Sequence, residues 1–135
     1  MGTLIPYSIF STRLYLSNKS KHMTKTNENV AIQFIKGKDE KDHPEIRLFR
    51  NLDGKTGKAV YKFYKPKTIT LKNLKLVQKM YLIDSEGELS TKTIDLKISD
   101  DHVEEVKSIY NWNTEKEFAR FMRFASRHAN SLSQN

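Results

Sequence analysis

The stretch "NTEKEFARFMRFASRHA", residues 113–129, decides the fold, because the apolar spacing of the chain changes period there. Thr114 stands three residues before Glu117, which is the spacing of a capping box at a helix N-terminus. Apolar residues then recur at i, i+3, i+4 and i+7, namely Phe118, Phe121, Met122 and Ala125. This spacing predicts one amphipathic helix with that stripe toward a core and Phe124 at its margin. Three arginines fall largely off the stripe: Arg120, Arg123 and Arg127.

Upstream of this helix, from residue 30 onward, the chain reads as short strands separated by turns. The predicted strands are "VAIQFIK" (30–36), "EIRLFRN" (45–51), "AVYKFYK" (59–65), "VQKMYLI" (77–83), "STKTIDLKI" (90–98) and "HVEEVKSIYNW" (102–112). Alternation within them predicts an inward set of Ile46, Leu48, Ala59, Tyr61, Phe63, Met80, Leu82, Ile94, Leu96 and Ile98. The stretch "KTITLKNLKL" (67–76) fits either a short strand or a helical turn. The predicted fold class is α+β, a mainly antiparallel, meander-like sheet of short strands closed by the C-terminal amphipathic helix.

Length predicts one domain, spanning residues 30–130, with a disordered tail at 131–135. Residues 1–29 are rich in Ser, Thr and Asn and carry no acid before Glu28. That composition is typical of a targeting segment. It equally fits a disordered extension, or an over-long start ahead of Met23. We leave these three interpretations open.

Charge is unevenly distributed along this chain of formal net charge +8. Residues 54–83 carry eight lysines and no acid, whereas acids cluster at 39–45, 84–88 and 95–105. Such a basic run can meet an acidic protein, a nucleic acid or an anionic membrane surface, or it can simply be solvated. The chain contains no cysteine, which excludes disulfides, thiolate metal sites and a cysteine nucleophile.

The sequence offers no catalytic constellation. The four histidines are scattered without helical metal-ligand spacing, and "DGKTG" lacks the frame of a phosphate-binding loop. Adjacent acids such as Asp100 and Asp101 fit a solvated turn better than a sheltered acid–base pair. We therefore predict a protein that is not an enzyme and has no metal or cofactor.

Two binding hypotheses remain. In the first, a basic sheet stacks single-stranded nucleic acid on its aromatic residues, which would be Tyr61, Phe63, Tyr64 and Tyr81. In the second, the open edge of a short antiparallel sheet pairs with an extended segment of a partner protein. Because a packed core needs most of the aromatic residues, the sequence favours the protein partner.

Four stretches resemble a known family, in order along residues 30–129: "IQFIKGKDE", "PEIRLFRNLDGKTGKAVYKF", "MYLIDSEGEL" and "EFARFMRFASRHA". They are similar to the photosystem II reaction centre W protein family, also called the photosystem II thirteen-kilodalton extrinsic assembly protein. The most specific pieces are "IRLFRNLDGKTG" (46–57) and "RFMRF" (120–124). The N-terminal 29 residues take no part in this resemblance.

The resemblance implies a non-catalytic assembly or repair factor that binds no chlorophyll or metal. It would bind photosystem II intermediates as a peripheral membrane protein on the thylakoid, on the stromal side in a plastid (chloroplast) or the cytoplasmic side in a cyanobacterium. Its partners would be core subunits, including an inner chlorophyll antenna protein, whose segments extend its sheet. The candidate partner-binding residues are Lys62, Lys65, Lys67, Lys79, Arg120, Arg123 and Arg127.

Overall fold

A computed structural model describes residues 4–8 and 29–133, which form two antiparallel sheets and one long helix. The larger sheet has the strand order β1-β4-β5-β9-β8. Its strands are β1 (Leu4–Ser8), β4 (Glu45–Asn51), β5 (Gly57–Tyr64), β8 (Ile94–Ile98) and β9 (Val103–Trp112). The smaller sheet has the order β3-β2-β6-β7, with β2 (Ala31–Ile35), β3 (Lys38–Asp39), β6 (Met80–Asp84) and β7 (Gly87–Thr91). Helix α1 spans Glu115–Ser133, which confirms the predicted α+β class.

The predicted single strand over residues 90–98 is wrong, because the chain breaks at Lys92 and Thr93 and passes from one sheet to the other. Hydrogen bonds to β9 hold this corner. The Thr93 carbonyl accepts from the Ile109 amide at 3.2 Å and from Ser108 Oγ at 2.9 Å. The meander is therefore folded into two layers instead of one sheet. The ambiguous stretch 67–76 takes its helical alternative, a 3-10 turn at Leu74–Leu76.

The core lies between the two sheets. Phe34 of β2 and Phe63 of β5 meet edge to face, with ring centroids 5.1 Å apart. Alternation predicted most of the inner set correctly: Ile46, Leu48, Ala59, Tyr61, Phe63, Met80 and Leu82 are all buried. Ile94 and Leu96 are half-buried against the core, but Ile98 is 51% exposed, so its predicted inward position is wrong. The pairing register shifts between Lys97 and Ile98, which takes the end of the strand out of the inner set.

Helix α1 begins as its sequence predicts. The Glu117 amide donates to Thr114 Oγ1 at 3.0 Å, and the Asn113 amide donates to Glu117 Oε2 at 3.0 Å. The first bond satisfies an amide that the first helical turn leaves without a partner, and the second ties the Glu117 side chain back to the residue before the cap. The capping prediction is therefore confirmed.

The buried stripe of α1 is rotated from the predicted one. Phe121 and Phe124 are both fully buried, Ala125 is nearly so, and His128 follows at 4% exposure. Phe118 and Met122 are only half-buried against the core. The placement of Phe124 at the margin is therefore wrong, because α1 presents its 121/124/125/128 line to the sandwich.

Helix α1 closes the sandwich by packing on the C-terminal half of β9. Phe121 stacks between Tyr110 and Trp112, with centroids 5.4 Å from each. Trp112 in turn lies against Gly57 of β5. An added Cβ at Gly57 would stand 2.3 Å from the Phe49 carbonyl oxygen and 2.5 Å from the indole ring, so only glycine fits there.

Both ends of the chain bear on the predicted domain limits. Within residues 1–29, strand β1 pairs antiparallel with β4, and residues 9–28 lie outside the described part of the chain. At the other end α1 continues to Ser133, three residues beyond the predicted domain end at 130. The division into 1–29, 30–130 and 131–135 stays a prediction.

Candidate partner-binding surface

The three arginines of α1 converge on the turn between β6 and β7. Arg120 donates from Nη1 to Asp84 Oδ2 at 2.9 Å and from Nη2 to Asp84 Oδ1 at 2.7 Å, a two-pronged contact. Arg127 lies two helical turns after Arg120 and binds the same carboxylate, with its Nη1 2.9 Å from Asp84 Oδ2. The Asp84 side chain is fully buried, so these two guanidinium groups supply its counter-charge.

Glu86, two residues along the turn, completes the cluster. Arg123 donates to it from Nε at 2.8 Å and from Nη2 at 2.9 Å, and Arg127 Nη1 lies 2.5 Å from its Oε2. The hydrogen bonds from Arg123 and Arg127 lower the pKa of Glu86 to about 2. For Asp84, burial raises the pKa, but the hydrogen bonds from Arg120 and Arg127 outweigh burial and the net shift is downward. Both carboxylates are thus charged across the physiological range.

These contacts give the arginines a structural role. Side-chain exposure is 17% for Arg120 and 24% for Arg127, against 49% for Arg123. Arg120 and Arg127 are therefore committed to holding α1 against the β6–β7 turn. Their part in partner binding stays a prediction, and Arg123 is the member with the most surface to offer.

The four candidate lysines do not share one surface. Lys62 lies on β5 with its neighbours Glu45 and Lys107 across the strand pairs. Lys65 follows the end of β5 with φ of 48°, and its amide donates to the Glu104 carbonyl at 2.9 Å. Lys67 is exposed in the following loop, and Lys79 is half-buried just before β6 of the other sheet. Of the four, only Lys62 stands in the middle of a sheet face.

That face is the outer surface of the larger sheet, opposite the core, and we call it the basic face. Its central members are Arg47, Phe49, Lys58, Val60, Lys62, Lys107 and Ile109. Val60 pairs with Arg47 on one side and Ile109 on the other, and Phe49 pairs with Lys58. Lys58 Nζ stands 5.7 Å from the centre of the Phe49 ring. An apolar strip therefore lies among four cations, and two acids stand at their margin, Glu45 opposite Lys62 and Asp95 opposite Lys107.

Sequence reasoning identified Lys62 alone among these seven residues. The others were hidden because their grouping depends on the register between β4, β5 and β9, which joins residues up to 62 positions apart, as from Arg47 to Ile109. The sequence does contain a signal for these residues, because each occupies an outward position of a strand with alternating side chains. Only the strand order turns those positions into one surface.

The structure does not present the four aromatic residues of the nucleic-acid hypothesis as one exposed stacking surface. Tyr61 and Phe63 are 0% and 1% exposed, so neither ring can stack a base. Tyr81 is half-buried beneath Lys36, whose Nζ lies 4.4 Å from the ring centre. Tyr64 alone of the four is largely exposed.

Residues 4–8 and 29–133 contain neither a candidate metal cluster nor a membrane-crossing helix. No group of three His, Cys, Asp or Glu side chains in the described part of the chain could hold a metal ion. Among the same residues, no helix has the length and apolar character that crossing a bilayer requires.

The larger sheet ends at β1 on one side and β8 on the other, whereas β3 and β7 bound the smaller sheet. Two antiparallel sheets packed face to face and closed by one C-terminal helix define the class of protein as an α+β sandwich. Comparison with known proteins places the chain more closely. Residues 32–133 match the family model described as Psb28 protein, so the chain belongs to the Psb28 family.

Individual relatives agree with that assignment. The chain is 81% identical over 113 residues to the "Photosystem II reaction center Psb28 protein" of Prochlorococcus marinus strain NATL2A, an alignment covering 84% of this chain and all of the relative. Identity is 42% over 107 residues with the protein of the same name from strain MIT 9211, covering 79% of this chain and 92% of the relative. It is 40% over 102 residues with that of Synechococcus sp. strain WH7803, covering 76% and 79%.

The prediction of a photosystem II family is confirmed, and the matched family carries the name Psb28, which differs from the name expected from the sequence. The four quoted stretches lie within the residues that match Psb28, whose relatives named above are photosystem II proteins.

Proposed function

We propose that this chain is a non-catalytic factor that binds photosystem II during its assembly or repair. Its membership of the Psb28 family and the photosystem II name carried by its relatives support this proposal. It acts as a peripheral protein at the thylakoid membrane, on the face toward the cytoplasm or stroma. Its relatives in Prochlorococcus and Synechococcus favour the cytoplasmic alternative. Its partners are core subunits of photosystem II, including an inner chlorophyll antenna protein.

The observation that carries the binding mode is the basic face. Arg47, Lys58, Lys62 and Lys107 surround a half-exposed apolar strip on one outward surface. Charges of this kind steer and orient an acidic partner, while apolar contact and strand pairing supply affinity. Lys65, Lys67 and Lys79 add positive charge outside the basic face. Within the arginine cluster, Arg123 is the most exposed and offers the most surface to a partner, with Arg120 and Arg127 beside it.

Charge reversal on the basic face tests this mode. We expect Lys62→Glu combined with Lys107→Glu to weaken binding to detergent-solubilised photosystem II assembly intermediates by at least about tenfold at low salt, since like charge at a charged interface costs on the order of 1–2 kcal/mol. The matched control is Lys72→Glu combined with Lys75→Glu, which makes the same charge change at two exposed positions, one just before the 3-10 turn and one within it. Native gel co-migration and titration at two salt concentrations provide the readout.

The outcomes separate the parts of the proposal. Weakening of the wild type by salt, together with selective loss in the Lys62/Lys107 variant, supports the basic face. Equal loss in both variants would mean that net charge alone matters, and the basic face would be rejected. Failure of the wild type to co-migrate with any intermediate would reject the proposed function itself.

A further inference from the structure

The edge of β4 is already occupied by a strand of the chain itself. Five residues of β1 pair with it in antiparallel register, from Leu4 opposite Asn51 to Ser8 opposite Arg47. On its other edge β4 pairs with β5, a partner close in sequence. The β4 edge therefore accepts an extended strand in the folded protein, and here that strand comes from the N-terminal end of the chain.

Strand β1 differs from the other strands of the larger sheet in its relation to the family fold. The family model matches residues 32–133, which include β4, β5, β8 and β9 but not β1. Twenty-two residues, 9–30, separate β1 from β2 in the other sheet. Strand β1 is thus an addition at the edge of a fold that is otherwise shared, joined to it by a long connection.

The chemistry of β4 indicates what else could pair there. Leu48 is buried on the core side of the strand, whereas Arg47 is exposed on the basic face, with its side chain 66% accessible. An incoming strand with an apolar residue opposite Leu48 and an acidic residue opposite Arg47 would match both positions, because directly opposed side chains interact across a strand pair. Ser8 opposite Arg47 supplies no charge in β1.

We propose that β1 is an internal, displaceable cap on the β4 edge, and that it competes with an extended, acidic–apolar segment of the partner for that edge. The nature of the partner rests on the proposed function; the occupation of the edge does not. Because β1 is tethered, it acts at a high effective concentration and lowers the apparent affinity of any strand that must replace it. The N-terminal segment then sets how readily the protein binds.

The absence of cysteine makes a clean test available. The variant Ile5→Cys/Arg50→Cys places a single cysteine pair at facing positions of β1 and β4, and it leaves Arg47 and the rest of the basic face unchanged. Facing residues of antiparallel strands have Cα atoms about 4.5–5.5 Å apart, within the range that a disulfide spans. Oxidation locks the cap, and the reduced form of the same preparation is its control. A second pair, Lys97→Cys/Glu105→Cys, locks β8 to β9 at the opposite edge in the same way.

The first probe is a fluorescent synthetic peptide, TLIPYSI, which copies residues 3–9. We expect it to bind the reduced β1 variant and to bind the oxidised form at least about tenfold more weakly, since only the reduced cap can be displaced. Oxidation of the β8 variant should leave peptide binding unchanged. Equal binding to both forms of the β1 variant, or binding to neither, overturns the proposal. An oxidised product that is a disulfide-linked dimer would assign the edge to a second copy, and would also overturn it.

The second probe is the solubilised photosystem II assembly intermediate. Binding by the reduced β1 variant and loss on oxidation supports the competition. Equal binding by both forms shows that the partner uses another surface, and overturns the partner half of the proposal. If the peptide distinguishes the two forms but the intermediate binds neither, the proposed function fails and the displaceable cap stands.

Discussion

Arg120 grips both carboxylate oxygens of Asp84, at 2.9 Å and 2.7 Å, and so joins the helix to a strand end thirty-six residues earlier. Asp84 is the last residue of β6, and its own Oδ1 also accepts the Glu86 amide at 3.0 Å, shaping the turn. One buried carboxylate therefore fixes the turn and anchors the helix.

Removing this carboxylate should destabilise the fold. We expect Asp84→Asn to lower the free energy of unfolding by about 2–4 kcal/mol, because it leaves two arginines beside a buried site without their charge partner, although Glu86 remains near. Urea denaturation at neutral pH measures the loss. Glu115→Gln, at an exposed position in the first turn of the helix, is the control and should cost far less. A cost below about 1 kcal/mol for Asp84→Asn would show that the cluster is not a structural anchor.

The loss of unfolding free energy at acid pH should depend on Glu86. Its folded pKa, about 2, lies below its unfolded value, so the unfolded chain binds the proton first as pH falls. The stabilisation is complete above about pH 4.5 and is lost as pH falls toward about 2. Asp84 acts with the same sign, since its pKa is also lowered. Urea unfolding at pH 5, 4 and 3 should therefore give a shallower decline for Glu86→Gln than for the wild type. If the free energy of unfolding fell equally with pH in Glu86→Gln and in the wild type, Glu86 would not be the group responsible.

His128 should produce a separate pH dependence at higher pH. Burial, with a smaller contribution from His43, lowers its pKa to about 4, and its ring stacks on Phe124 at 5.7 Å. The unfolded chain takes up this proton near pH 6.5 while the folded protein does not, so stability present above that pH declines below it. We expect a loss of about 2 kcal/mol between pH 7 and pH 5.

Substitution identifies the group responsible for that decline. In His128→Leu the decline between pH 7 and pH 5 should largely disappear, whereas His43→Gln, at an exposed position, should retain it. An unchanged slope in the leucine variant would show that another group titrates there. Urea unfolding at half-unit pH steps provides the measurement, and this window stays clear of that of Glu86.

The rotated stripe of α1 can be tested by truncation. We expect Phe121→Ala and Phe124→Ala each to cost about 3–5 kcal/mol, since both rings are fully buried between the helix and the sandwich. Met122→Ala, at a half-buried position, should cost less. If Phe124→Ala cost under about 1 kcal/mol, Phe124 would lie at the margin of the stripe after all.

Local sequence patterns predicted much of the secondary structure. Alternation in Glu45–Asn51 predicted that strand with its bounds, and it placed Tyr61 and Phe63 inside with Lys62 outside. The capping box at Thr114 located the helix start to the residue. These features were accessible because each depends on neighbours within a few positions, where the periods of strand and helix are fixed by backbone geometry.

The candidate site was far less accessible. The seven candidate partner-binding residues are the four lysines and three arginines predicted from their charge. Charge alone does not distinguish a solvent-exposed cation from one that forms an ion pair with a buried acid. Arg120 and Arg127 proved to face Asp84, whereas Arg47 and Lys107 stand on the basic face unpredicted. Nothing local to position 120 indicates that its partner lies at position 84.

The sequence by itself determined the helix and most of the strands, most of the inner residues of those strands and the photosystem II family, because these depend on short-range periodicity and on contiguous motifs. Only the tertiary structure decided that the strands form two sheets, that Phe124 and not Met122 is fully buried, and that three arginines close on one turn. It alone brought Arg47, Lys62 and Lys107 to one face and set β1 on the edge of β4. The physical reason is that strand register and helix docking are long-range choices, settled by how all the apolar faces are buried together.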